Sequence, residues 1–305
     1  MSALRSLILA AADSPRLQRF VQRYGFRLGA ARFVAGESLD AAVPVLRRLN
    51  EQGLLTNTTL LGEGVREETE TREVVDAYRE LLDRIHAEGL RTNVALKLTH
   101  LGLSIDEALA ERNLAELVQH AARLGNFIRI DMEESRHVGA TLRIYRSLRR
   151  GGHQNVGAVL QSYLFRSEED LAALLPLAPN LRLVKGAYLE SPEVAYPHKR
   201  DVDAAYVRLL ETSLVADGFT AVATHDETLI EHTISFAREH GIPTERFQFQ
   251  MLYGVRSRLQ LDLVRRGFDV LVATPYGPEW YRYLMRRLAE RPANVLFLLR
   301  NLVRG

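Results

Sequence analysis

The sequence predicts an α/β fold, a (βα)8 TIM-type barrel with extra N-terminal helices and a C-terminal lid helix. Eight short runs rich in Val, Ile, Leu and Thr alternate with longer stretches of helical periodicity. No proline–glycine linker or low-complexity segment divides the 305 residues, so we expect one domain over 1–305. Eight strand–helix units in one chain of this length are typical of a parallel barrel with its helices outside.

The predicted N-terminal helices come first along the chain, and the strands and helices of the barrel follow. Residues 1–50 are expected to form two or three helices, and the barrel then occupies residues 51–305. The predicted strands lie in LLTNTTLLGEG, RTNVALKLTHLG, FIRIDMEES, NVGAVLQSYL, LRLVKGAY, TAVATHD, RFQFQMLYGV and FDVLVATPYG. Several of the helical stretches between them end in glycine, the expected helix C-cap. A doubly wound open sheet is the alternative, but GEGVRE is a poor match to its phosphate-binding glycine turn.

Composition limits the classes of function. A formal net charge of +2 indicates neither nucleic-acid binding nor a polybasic membrane anchor. The absence of cysteine excludes disulfides, thiolate metal sites, iron–sulfur clusters and a cysteine nucleophile. The opening MSALRSLILAAADSPRL has an apolar run too short to span a membrane and is a weak match to a signal peptide. We therefore expect a cytoplasmic location.

Polar residues stand where the predicted strands end. One such residue is typical of a loop or a helix cap. Consecutive strands that all end this way predict a binding site, because the carboxyl ends of parallel strands meet at one face of a barrel. The residues at these ends are Glu63, Lys97, Asp131, Gln161, Arg182 with Lys185, His225 and Gln250.

The helix EWYRYLMRRLAE, residues 279–290, carries a stripe of Tyr283, Arg286, Arg287 and Glu290 at helical spacing. The stripe has two interpretations. It is either a solvated face with one ion pair, or a clamp whose planar guanidiniums bind a small carboxylate. The cations at the strand ends favour the clamp, and with it a carboxylate or phosphate ligand.

Metal chemistry is the main rival. The segments ATHDE and RIDMEES supply carboxylates and one histidine, as a barrel metallohydrolase would. No His-x-His follows the first strand, and many cations share the mouth, so no metal is expected, although a carboxylate-held divalent cation stays open. Ser–His–Asp catalysis finds little support, because no G-x-S-x-G motif is present.

Seven motifs identify a resemblance: LKLTHLG, RIDMEES, QSYLFR, RLVKGAY, ATHD, FQMLYGV and PYGPEWYRYLMRRLAE occur in the order seen in proline dehydrogenases. From about residue 60 onward the chain resembles the monofunctional bacterial form, a distorted (βα)8 barrel carrying FAD. The resemblance implies oxidation of L-proline to 1-pyrroline-5-carboxylate, the first step of proline degradation to glutamate, with electrons passed to a membrane quinone. It also implies at most peripheral membrane contact, and it makes a 1-pyrroline-5-carboxylate dehydrogenase a candidate partner.

The same resemblance assigns residues by motif. Lys97, Arg286 and Arg287 would hold the proline carboxylate, and Asp131 would orient Lys97. Arg182 would hydrogen-bond near flavin N5, and Glu63 would pair with Arg286 as a gate. Tyr283 would line the substrate pocket, and Leu252 would touch both substrate and cofactor. The FAD itself would be lined by Met132, Gln161, Val184, Lys185, Gly186, Ala187, Thr224, His225 and Gln250, with Glu290 at the adenosine end and Lys199 or His198 at a phosphate.

One position departs from the family pattern. The family usually has a tyrosine beside the substrate ring, three residues before the YG of PYG, and this chain has Ala273 there. A roomier pocket is expected, which leaves proline affinity and discrimination against hydroxyproline open. Two rival functions also stay open. A folate-reducing flavin barrel would lack the double arginine, and a non-catalytic binding barrel would have the clamp without a flavin.

Overall fold

The structure is a computed structural model. It describes residues 30–62 and 64–290, with side chains as far as residue 285, and five isolated positions before residue 30. Glu63, the N-terminal stretch apart from those five positions and residues 291–305 lie outside the described residues. All structural statements below refer to the described part of the chain.

Eight parallel strands form a closed barrel in sequence order, and the last strand pairs with the first. The predicted barrel is therefore confirmed, with one strand in each of the eight predicted runs. The strands are β1 Leu55–Leu60, β2 Thr92–Lys97, β3 Ile128–Asp131, β4 Val156–Gln161, β5 Asn180–Val184, β6 Phe219–Ala223, β7 Phe247–Leu252 and β8 Val270–Tyr276.

Helices alternate with these strands and surround them. The helices are α1 Leu39–Glu51, α2 Glu68–Ala87, α3 Glu107–Arg123, α4 Ser135–Arg150, α5 Ser167–Leu174, α6 Lys199–Val215, α7 Glu227–Glu239, α8 Ser257–Arg265 and α9 Trp280–Glu290. Single 3-10 turns lie at Ala30–Arg32, Leu98–Leu101, Leu175–Leu177 and Thr244–Arg246. Helix α1 confirms a helix before the barrel, and it packs against β1 and β8.

Local sequence sets where these helices begin and end. The Asp106 side chain accepts a 2.7 Å hydrogen bond from the Leu109 amide and so caps the first turn of α3. After α2 and α3 the chain reaches Gly89 and Gly125, whose φ angles are +60° and +65°. Glycine adopts this left-handed conformation without the steric cost of a Cβ, so the predicted glycine stops are confirmed here.

The main core lies between the barrel and its helices. Val94 and Leu96 of β2 are fully buried in one apolar cluster with Tyr78 and Leu81 of α2. Alternate strand residues point away from the helices into the lumen, because side chains on a strand alternate between its two faces. The lumen receives polar side chains such as Arg182, Asn57 and Gln250, which bond one another across it, whereas Thr220 on the other face bonds Ser213 of α6. Polar groups in the lumen are a condition for a site at the barrel mouth.

Helix α9 is anchored at the carboxyl end of β8. A second apolar cluster joins Trp280, Leu284 and Met285 of this helix to Phe33. The Trp280 indole also donates a 2.7 Å hydrogen bond to Glu37 Oε1. These contacts hold the start of the predicted lid helix beside the mouth. Within the described residues, no helix combines the length and the apolar character that crossing a bilayer requires.

Gly157 should be needed for the barrel to pack. A Cβ at this position would lie 2.4 Å from Arg129 Nη1 and 2.6 Å from the Asn180 carbonyl oxygen. Gly157→Ala should therefore destabilise the protein by about 1 to 3 kcal/mol, because neither neighbour can move freely. Gly151→Ala is the matched control, since its Cβ would meet nothing closer than 3.4 Å. Urea unfolding measures both variants, and equal stabilities would contradict this account of the lumen.

Candidate active site at the barrel mouth

A buried arginine crosses the lumen near the carboxyl end of the strands. Arg182 on β5 is 8% exposed, yet its hydrogen bonds go to β3, β7 and β1 and to neither neighbouring strand. Nη1 donates to Asp131 Oδ1 at 2.8 Å, Nε to Gln250 Oε1 at 2.5 Å, and Nη2 to Asn57 Oδ1 at 3.0 Å. These bonds use three of the five N–H donors of a guanidinium, so two are left for a ligand.

Electrostatics around this arginine are unusual. Burial lowers the pKa of Arg182, and the ion pair with Asp131 opposes that shift. A second guanidinium, Arg129, is 3% exposed and binds the carbonyl oxygens of Ala158 and Asn180 at 2.9 and 2.8 Å. Burial lowers the pKa of Arg129, and the charge of Arg182 lowers it further. An arginine stays protonated at physiological pH, so two positive charges share this part of the barrel with Asp131.

Lys97 ends β2 and is held beside Asp131 by strand register. The 3-10 turn Leu98–Leu101 follows directly and is pinned by Glu133, which is 3% exposed. Glu133 accepts hydrogen bonds from the Thr99 amide at 3.1 Å and the Thr99 hydroxyl at 2.6 Å. Burial raises the pKa of Glu133, although the two bonds from Thr99 and the charge of Lys97 favour the carboxylate.

A cleft of about 320 Å³ opens beside Lys97. It runs between the end of β1 and helix α9, and its walls carry Lys97 and Arg282 together with the acidic residues Glu70, Glu73 and Glu279. This volume lies within the range of small-molecule sites. Tyr283 is half-buried and faces this space from the helix, which fits its predicted place in the substrate pocket.

The cavity at the opposite end of the barrel is a poorer candidate. It measures about 330 Å³ and is lined near the amino-terminal ends of the strands by Thr56, Asn93 and Gln248 among others. Barrel enzymes place their reactive groups at the carboxyl face, where Lys97 and Arg182 lie. We therefore assign the site to the mouth.

The far side of the mouth is formed by β4, β5 and β6. Gln161 is 3% exposed, and among the described residues its Oε1 has no hydrogen-bond donor. A buried acceptor without a donor fits a ring N–H of a bound group. His225 Nε2 accepts a 3.0 Å hydrogen bond from the Leu252 amide, which fixes the imidazole beside β7. The free acceptor on Gln161 is thus compatible with the flavin that the family resemblance implies.

Lys185 directly follows β5, and its side chain contacts two aspartates. Its Nζ lies 2.6 Å from Asp203 Oδ1 and 3.2 Å from Asp226 Oδ2. The next residue, Gly186, has φ +112°, and a Cβ there would lie 2.1 Å from the Tyr163 ring. Close packing on Tyr163 and the left-handed backbone therefore both require glycine at this position.

The structure describes some of the remaining predicted site residues and not others. Thr224 is buried after β6, Met132 is buried after β3, and Val184 and Leu252 are partly exposed at the ends of β5 and β7. Ala187, His198 and Lys199 are exposed, the last two at the start of α6. Glu63 and the side chains of Arg286, Arg287 and Glu290 lie outside the described residues, so the clamp and the gate stay predictions.

Several contributors were missed at the sequence level. Asn57 lies inside β1, and only the closed barrel brings it to Arg182. Glu133 was grouped with potential metal ligands, whereas it binds Thr99. Asp203 carried no motif signal, although it lies one helical turn after Lys199 in a spacing typical of an ion pair. Among the described residues, no cluster of three His, Asp or Glu side chains could hold a metal ion.

The comparisons with known proteins agree on one family. A family model described as proline dehydrogenase matches residues 42–300. The chain is 40% identical to proline dehydrogenase 1 of Bacillus subtilis (strain 168) over 301 residues, covering 99% of each chain. It is 41% identical to the proline dehydrogenase of Deinococcus radiodurans over 305 residues, covering 99% of this chain and 98% of the relative.

A solved structure gives the same fold. The crystal structure of proline utilization A from Bdellovibrio bacteriovorus, inactivated by N-propargylglycine, matches with a TM-score of 0.81 and 26% identity. The match covers 86% of this chain and 32% of the other, so this chain spans about a third of that protein. The similarity therefore concerns one part of a much longer chain.

Glu133 should make the free energy of unfolding depend on pH. Its pKa is raised in the folded state, so it contributes stability below its unfolded pKa, and that contribution is lost as pH rises through the folded pKa. We expect the unfolding free energy of the wild type, measured relative to Glu133→Gln, to fall between about pH 5 and about pH 8. Urea titrations at the two pH values measure the difference. If the stability of the wild type relative to Glu133→Gln instead grows with pH, the folded protein holds Glu133 as a carboxylate, and the prediction is wrong.

Proposed function

The chain belongs to the proline dehydrogenase family and is an oxidoreductase acting on proline, and we propose that it oxidises L-proline to 1-pyrroline-5-carboxylate with FAD as its cofactor. The observation that carries the proposal is the cationic mouth, where Lys97 lies beside the Arg182–Asp131 ion pair. Such a site suits a ligand with a carboxylate next to an acceptor that becomes negatively charged.

The substrate carboxylate is proposed to bind at Lys97, with Arg286 and Arg287 completing the clamp from helix α9. In support, α9 begins beside the mouth, and Lys97 and Tyr283 share one cleft. Planar guanidiniums bind a carboxylate with paired hydrogen bonds and so fix its orientation. The clamp therefore supplies position, which holds the ring carbon C5 of proline at the same place in each turnover. Glu63 is proposed to close the site by pairing with Arg286.

The positive charges at the mouth are also proposed to select the reactive form of the substrate. Proline carries a protonated ring nitrogen, and a cation does not readily give up hydride from the adjacent carbon. Lys97, Arg286 and Arg287 would disfavour a further positive charge nearby and so lower the pKa of the bound ammonium. Proton loss to solvent would then leave the free amine in the site.

The cofactor is proposed to lie over the opposite side of the mouth. FAD bound there would accept the hydride that leaves proline C5. Arg182 would donate one of its two remaining N–H groups to the ring, and Gln161 would accept from it. Lys185 and Lys199 would reach the phosphates, and Glu290 the adenosine end. Thr224, His225 and Gln250 would complete the wall with Met132, Val184, Gly186, Ala187 and Leu252.

Electron transfer beyond the cofactor is proposed from family resemblance. The reduced cofactor would pass its electrons to a membrane quinone, which requires at most peripheral contact with the bilayer. The product would be a substrate for a 1-pyrroline-5-carboxylate dehydrogenase. Because this scheme requires only peripheral contact with the bilayer, we also propose a cytoplasmic location.

Dye-coupled turnover of L-proline tests the proposal. Arg287→Met and Lys97→Met should each lower kcat/KM by about 30-fold or more, a loss of about 2 kcal/mol for one charge-assisted contact. Arg47→Met is the control, because Arg47 pairs with Glu88 on the outer helices and should change kcat/KM by less than about twofold. Wild-type protein that turns over no proline, or clamp variants that match the control, would contradict the assignment.

Ala273 should set how tightly the substrate ring is held. It pairs in register with Leu252 on one side and Asn57 on the other, and it is partly exposed toward the mouth. Ala273→Tyr would fill the space that the family's usual tyrosine occupies. We expect a lower KM for proline and a larger ratio of kcat/KM for proline over 4-hydroxyproline, by about 10-fold. Steady-state kinetics with both substrates checks this, and an unchanged ratio would place Ala273 away from the substrate ring.

A further inference from the structure

Four charged side chains form a network at the edge of the proposed cofactor site. Lys185 follows β5, Lys199 and Asp203 lie on the first turns of α6, and Asp226 follows β6. Asp203 joins the two lysines, because Lys185 Nζ lies 2.6 Å from its Oδ1 and Lys199 binds its other oxygen. Asp226 lies on the other side of Lys185, at 3.2 Å.

The network is electrically balanced. Two lysines and two aspartates give a formal charge of zero, so the group as a whole attracts an anion weakly. Burial opposes ionisation of Asp203 and Asp226, but the hydrogen bonds and charges of their neighbours, chiefly Lys185 and Lys199, together outweigh it and hold the pKa of each carboxyl below its ordinary range. Both carboxylates therefore stay ionised at neutral pH, and they fix where the ammonium groups lie.

The geometry leaves donors for a ligand. An ammonium has three N–H donors; Lys185 donates one of them to Asp226 and lies in ion-pair contact with Asp203. Lys199 is 75% exposed and is restrained through Asp203, one helical turn away. A long, exposed lysine would otherwise sample many rotamers, and restraining it before binding lowers the entropy cost of contacting an anion.

We propose that Asp203 is a positioning residue, which holds the ammonium groups of Lys185 and Lys199 at a fixed separation so that both donate to the phosphates of the cofactor. Asp226 fixes Lys185 from the opposite side. This inference rests on the proposed function, since it takes FAD to be the bound dinucleotide.

Charge and position make opposite predictions for Asp203→Asn. The substitution raises the local formal charge by one, so a purely Coulombic site would bind a phosphate-bearing ligand more tightly. An amide replaces one of the two carboxylate oxygens by an NH2 donor, so one of the two ammonium groups loses its acceptor. Loss of the bridge would then weaken binding despite the added positive charge. The sign of the change separates the two accounts.

The test is an equilibrium titration of the full chain, freed of flavin, with FAD, FMN and riboflavin, followed by flavin fluorescence. Asp203→Asn should weaken FAD binding about tenfold, the equivalent of one charge-assisted hydrogen bond. Riboflavin has no phosphate, so its affinity should not change, and FMN should lose less than FAD. Asp201→Asn is the matched control, since Asp201 lies two residues earlier on the same helix and pairs only with the exposed Arg200 among the contacts described.

Each of the other outcomes overturns the role of Asp203, the proposed function, or both. FAD binding that is unchanged or tighter in Asp203→Asn would overturn the positioning role, and so would an equal loss for FAD and riboflavin, which would indicate general damage to the fold. Wild-type protein that binds none of the three flavins would overturn the proposed function and this inference with it. Normal FAD binding by both wild type and variant would overturn only the role of Asp203.

Discussion

One buried ion pair, between Arg182 and Asp131, determines how the mouth of this barrel is built. A guanidinium removed from water costs several kcal/mol unless it is paired and fully hydrogen-bonded. Arg182 meets most of that requirement, with an ion pair and three of its five N–H groups bonded, by reaching across the lumen to β1, β3 and β7. Asn57, Asp131 and Gln250 must therefore keep their positions for the cation to be tolerated. The position of one side chain is thus tied to the register of four strands.

The same constraint prepares the site for negative charge. Arg182 and Arg129 lose water when the protein folds, so their dipoles and charges do not need to reorganise when a ligand arrives. Lys97 adds a third cation beside Asp131 at the end of β2. Asp131 is the carboxylate that the structure pairs directly with Arg182. Of these cations, Lys97 and Arg182 lie at the mouth beside Asp131, and their charge is what the proposed carboxylate and electron-accepting cofactor would use.

Much of this arrangement could be predicted from the sequence because it depends on local patterns. Eight apolar runs separated by helical segments indicate a parallel barrel, and the carboxyl ends of such strands must share one face. The position of Lys97 or Gln161 at a strand end is therefore visible in the chain itself. Glycine stops such as Gly89 are equally local, because left-handed φ angles follow directly from the missing Cβ.

Pairings across the lumen could not be predicted in this way, because they depend on the stagger of the closed barrel. Asn57 lies 125 residues before Arg182 and inside a strand, with no feature that distinguishes it from a residue of the barrel wall. Glu133 resembles a metal ligand in its motif, and only the fold shows that Thr99 holds it. The Lys199–Asp203 spacing indicates an ion pair on a helix, but the contact to Lys185 requires the neighbouring strand end.

The proposed function depends on fixed positive charges at the mouth that bind the substrate carboxylate beside a flavin. An anaerobic visible-absorption titration of the flavin-loaded protein, with L-proline and with pyrrolidine, tests it most directly, because pyrrolidine keeps the ring amine and lacks the carboxylate. We expect L-proline to bleach the flavin bands and pyrrolidine at the same concentration to leave them unchanged. Equal bleaching by both amines, or protein without flavin absorption, would contradict it.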